Sequence, residues 1–146
     1  MPAQVGNGND CYVRFATSNG DPATFAISGT NPIVSTPIDV RDLDKISFQL
    51  VLPGGTTVDG AWKIEASGNY VPANIATVYG QVATAGSWSD VTALFLPALV
   101  PVAHGTAATL NQWTQAELRT RALRLTFTPT AGSGNGTAIT NGKAFG

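Results

Sequence analysis

Residues 44–52 read DKISFQLVL, and this stretch decides the fold. Ile46, Phe48, Leu50 and Leu52 alternate with Lys45, Ser47, Gln49 and Val51. Successive side chains of a strand point to opposite faces, so a period of two with one wholly apolar face predicts a half-buried β-strand. Pro53, Gly54 and Gly55 stop it. Working outward, residues 61–67 (AWKIEAS) repeat the pattern, with Trp62, Ile64 and Ala66 inward and Lys63 and Glu65 outward. Residues 122–128 (ALRLTFT) do so again, Leu123, Leu125 and Phe127 alternating with Arg124, Thr126 and Thr128.

The rest of the chain is built of shorter pieces. Residues 11–16 and 24–28 read as strands separated by the TSNGDP turn at 17–22. Residues 29–42 carry Pro32 and Pro37 and read as a loop with an edge strand, the one sheet position that tolerates proline. Another strand is expected over 75–82. The apolar run Val91–Val102 is cut by Pro97 and Pro101, which predicts strand pieces or a buried loop. Residues 111–118 (NQWTQAEL) are the one passage expected to hold a helical turn, with Asn111 as its cap. TAGSGNG (130–136) reads as a flexible turn and 138–140 as a short return strand. Turn signals at this spacing give about seven or eight strands. No segment offers the long helix that a parallel crossover needs. The expected fold is all-β: a two-sheet antiparallel β-sandwich, jelly-roll or discoidin-like. Residues 10–142 form the single domain, 1–9 a flexible N-terminal arm and 143–146 a C-terminal tail.

Composition narrows the function. The 146 residues are 43% hydrophobic and only 12% charged, with 16 glycines and a formal net charge of -1. A neutral surface rich in Thr, Gly and Ala repels its own copies weakly and suits packing against neighbours. No basic run supplies the electrostatic footprint of a nucleic-acid binder. No stretch of about 18 apolar residues predicts a membrane span, and the N-terminal residues do not read as a secretory signal. The single Cys11 excludes an internal disulfide. Synthesis in a cytoplasm is expected.

Catalytic chemistry finds little footing. Asp39, Asp42 and Asp44 alternate like calcium ligands, but Arg41 and Lys45 sit among them and the loop glycine and distal glutamate are missing. His104 is the sole histidine, which removes multi-histidine zinc sites, and no nucleophile elbow accompanies it. GSGNG (132–136) lacks the helix that would complete a phosphate cradle. The expectation is no enzyme, no cofactor and no metal. Trp88 and Trp113 lie in turn-like contexts and are the expected exposed anchors of a protein interface, with Arg119 and Arg121 beside them. The same tryptophans admit a glycan, because aromatic faces stack on the apolar faces of sugars.

The order DCYVRFA, KISFQLVL, AWKIEASGNY, GSWSDVT and RALRLTFTP followed by GSGNGT resembles small β-sandwich virion proteins of tailed bacteriophages, over about residues 10–142. That group is similar to head decoration proteins, fibre bases and tail accessory proteins. The resemblance implies core roles for Trp62 and Ile64, a packing element in Trp88 with Asp90, and an outward place for Arg124. It implies a structural virion protein, foremost a head decoration protein that binds the major capsid protein and its own copies, with a trimer favoured. The alternative it leaves is a carbohydrate- or receptor-binding sandwich of a tail or fibre.

Overall fold

The computed structural model describes residues 10–12, 24–41, 43–53, 55–72, 82–104 and 109–144. The arm expected at 1–9, the turn at 17–22, Asp42 and most of the strand expected over 75–82 lie outside them. The described residues form eleven strands and one short 3-10 turn. In chain order the strands are β1 (Asp10–Tyr12), β2 (Thr24–Ser28), β3 (Ile33–Val34), β4 (Ile38–Asp39), β5 (Leu43–Leu52) and β6 (Asp59–Ser67). They continue with β7 (Ser89–Asp90), β8 (Val102–Ala103), β9 (Leu110–Glu117), β10 (Ala122–Ala131) and β11 (Ser133–Ala144), and the 3-10 turn is Thr92–Leu94.

Two antiparallel sheets result. In the first, β11 pairs with β5 and β5 with β9, while β1 and β2 lie end to end along the other edge of β11. In the second, β10 pairs with β6; β3 and β4 share the far edge of β10, and β7 and β8 share the far edge of β6. Short strands lying end to end explain why eleven strands fill only four positions in each sheet. An antiparallel β-sandwich is the outcome.

The alternation in β5 works as its sequence demands. Ile46, Phe48, Leu50 and Leu52 are at most 2% exposed and face Ile64 of β6 and Leu123, Leu125 and Phe127 of β10, all fully buried. Each such side chain contributes about 1.5–3 kcal/mol by leaving water. Trp62 meets Phe127 edge-on at 4.9 Å between ring centres, and Phe95 reaches in from a loop to Phe48 at 5.6 Å.

Three expectations are corrected. Residues 111–118 hold no helical turn; 110–117 are strand β9, paired with β5 from Lys45↔Glu117 to Leu52↔Leu110. Pairing with a strong partner strand outweighs the weak local preference of NQWTQAEL. Second, TAGSGNG is not a flexible turn: Thr130 and Ala131 end β10, and residues 133–137 pair with β2. The chain passes from one sheet to the other at Gly132, whose φ is +86° and whose missing Cβ would lie 1.9 Å from the Thr57 carbonyl oxygen. Only glycine satisfies both conditions. Third, the ladder includes Lys143 and Ala144, which pair with Lys45 and Leu43, so the strand runs into the expected tail.

Candidate interaction surface

Trp88 and Trp113 do not share a surface. Leu123 and Leu125 face the core, so Arg124 between them points outward from the second sheet. Its guanidinium lies 4.4 Å from the centre of the Trp88 ring. Trp88 is therefore half-buried on the outer face of the second sheet. Its indole N–H donates to the Ala85 carbonyl at 3.1 Å, and Tyr70 flanks the ring at 5.8 Å. Gly86 permits this fold-back: its φ is +89°, and a Cβ there would lie 3.2 Å from the indole nitrogen and 2.8 Å from Ser67 Oγ.

The same segment explains the run WSDVT (88–92). Asp90 pairs with Glu65 in the short β6–β7 ladder. The Thr92 hydroxyl accepts from the Ile64 N–H at 2.9 Å and donates to Asp90 Oδ1 at 2.6 Å, while the Thr92 N–H donates to that oxygen at 2.9 Å. These two bonds, the hydroxyl first, hold the Asp90 carboxyl below the usual aspartate value; slight desolvation opposes them and Lys63 assists. Glu65, expected on an open face, is only 9% exposed, because Arg124 at 3.0 Å and Lys63 at 3.7 Å close over it. The group is a clip that fastens the 84–92 segment to the sheet.

Trp113 stands on the outer face of the first sheet and is 56% exposed. The neighbouring edge carries a loop. Leu96 and Gln115 exchange both backbone hydrogen bonds, at 2.8 and 2.9 Å, and Thr114 Oγ1 donates to the Pro97 carbonyl at 2.8 Å. The loop covers the edge of β9, which would otherwise offer unpaired backbone groups to another chain. Phe95 anchors it in the core, whereas Leu94, Leu96 and Val100 are 55–63% exposed. The run expected as strand pieces or a buried loop holds one such strand piece, β8, and between its buried residues Phe95 and Val102 presents an apolar ridge.

Arg119 and Arg121 lie in the link between β9 and β10, and both residues already take part in interactions. Asp39 is held by the Arg41 guanidinium at 2.6–3.1 Å, a local ion pair. His104 is fastened to the backbone, its Nε2 3.3 Å from the Pro53 carbonyl and its N–H shared between the Val58 carbonyl and Asp59. Among the described residues no three His, Cys, Asp or Glu side chains gather as metal ligands.

The sequence reading missed the exposure of Leu94, Leu96 and Val100, and it missed Gln49, Asn111 and Gln115 around Trp113. The signal for the second group was the alternation Asn111, Trp113, Gln115, Glu117, hidden because the inward residues Thr114 and Ala116 are small or polar.

No family model matches the chain, and no curated protein matches it. Among solved structures it is similar to two cleaved adhesin domains of Lys-gingipain from Porphyromonas gingivalis W83. The K1 domain is 11% identical, with 100% of this chain and 81% of that one covered and a TM-score of 0.39. The K3 domain is 10% identical, with 92% and 73% covered and a TM-score of 0.39.

Proposed function

We propose that this chain is a non-enzymatic structural protein of a tailed-phage virion, a head decoration protein that binds the major capsid protein and its own copies as a trimer. The observation that carries the reading is the ridge of Leu94, Leu96 and Val100, exposed yet held at fixed height by Phe95 beneath and the Leu96–Gln115 pair beside it. Apolar side chains presented on an ordered backbone lose little entropy when a partner covers them. The low charge of the whole chain supports the same reading, since shell proteins meet copies of themselves at high density.

Three measurements test it. Light scattering after size exclusion is expected to give a trimer, and Leu96→Asp is expected to lower that mass or abolish retention on purified heads. Mass spectrometry of purified virions is expected to find the chain in a copy number matching the shell's symmetry. A monomer that heads do not retain, or absence from the particle, would overturn the proposal.

A further inference from the structure

We propose that the outer face of the first sheet is a binding platform for a neutral glycan chain, centred on Trp113. The proposal rests on this face alone and stands apart from the ridge and from the virion reading.

Backbone geometry fixes the neighbours of the indole. Gln115 directs both its N–H and its carbonyl to Leu96, away from β5. The rows Ser47↔Gln115 and Gln49↔Trp113 are therefore the pairs of the antiparallel ladder without mutual hydrogen bonds. Their side chains approach most closely, about 4.5–5.5 Å between Cβ atoms. Gln49 is consequently the direct cross-strand neighbour of Trp113 on this face. Its Nε2 donates to Asn111 Oδ1 at 3.1 Å, across the diagonal of the same face. That bond orients the two amides and leaves the Gln49 carbonyl oxygen and an Asn111 N–H to face solvent.

The ligand class follows from this chemistry. An exposed indole face takes the axial C–H surface of a pyranose. Amide groups offer a donor and an acceptor side by side, as adjacent sugar hydroxyls require. Among the described side chains of this face, the charged pair Lys45 and Glu117, at its end, neutralise each other at 3.5 Å. A pleated, flat face fits a chain laid along it rather than a monosaccharide enclosed in a pocket.

The other exposed-aromatic candidate lacks these properties. Trp88 has one ring face covered by Arg124 and its N–H occupied by Ala85. The structure thus assigns sugar stacking to Trp113 and clip packing to Trp88.

The test is native affinity electrophoresis through gels containing dextran, galactomannan, amylose or mixed-linkage β-glucan. The wild-type protein is expected to be retarded by at least one of them. Trp113→Ala, which removes an exposed side chain and is expected to keep the wild-type circular dichroism and melting curve, should bind at least about tenfold more weakly. Gln49→Ala should weaken binding several-fold, and Trp113→Tyr should keep part of it. Retardation by none of the four polymers would overturn the proposal. So would equal retardation of Trp113→Ala, or stronger retardation by dextran sulfate. Quenching of Trp113 fluorescence that follows protein concentration and ignores glycan would assign the face to a second copy instead.

Discussion

Arg124 and Trp88 are bound face to cation: the guanidinium sits 4.4 Å over the ring while its Nε donates to Glu65 at 3.0 Å. Arg124 and Glu65 are direct cross-strand partners in β10 and β6, so the arginine is already aimed when the 84–92 segment arrives. Trp88→Ala and Arg124→Ala should each lower stability by about 1–2 kcal/mol. Both remove the same contact, so the double variant should cost less than the sum by about 0.5–1 kcal/mol. Urea unfolding of the four proteins measures this; strict additivity would show that the stack contributes nothing.

Thr126 Oγ1 is buried without a hydrogen-bond partner among the described residues. Valine has the same shape and a comparable preference for strands. Thr126→Val should therefore raise stability by about 1 kcal/mol, the cost of leaving a hydroxyl unsatisfied. A lower melting temperature would reveal a partner for that hydroxyl.

Gly132→Ala should cost well over 2 kcal/mol, from strain at positive φ combined with collision against the Thr57 carbonyl. Gly68→Ala, where the new Cβ meets nothing within 4 Å, should stay within about 0.5 kcal/mol of wild type. Thermal melts of the two variants provide the comparison.

Asp90 has its proton affinity lowered in the folded state by Thr92. Its contribution is complete above the pKa of an unfolded aspartate, about 3.9. It is lost as pH falls through the lower native value. Asp90→Asn should therefore be less stable than wild type at pH 7 and lose less stability between about pH 4 and pH 2. Parallel stability–pH curves would exclude Asp90 from acid unfolding.

Legibility followed side-chain contrast. Strands β5, β6 and β10 put large apolar groups on one face, and their sequences state as much. β9 was obscured because its inward residues Thr114 and Ala116 are neither large nor apolar enough to mark a face. The glycines at 132 and 134 look like flexibility in a sequence; Thr56 and Thr57 pack against them in the fold, and those threonines lie some seventy-five residues away. Arg124 against Trp88, and Gln49 opposite Trp113, are likewise relations between segments distant in the chain. Composition carried the absence of a nucleic-acid footprint, but no local pattern could tell which tryptophan would remain open.

The central place of β11 governs when the molecule can form. It pairs with β1 and β2 on one side and with β5 on the other. Asp10 finds Asn141, and Leu43 finds Ala144, so the first sheet has no interior until the ribosome has passed residue 144. Until then the emerging chain carries β5 with a bare edge and an apolar face. The first sheet therefore closes only once β11 is available, at the slow pace of long-range strand pairing. Nascent chains stalled before β11 should be the form that chaperones hold.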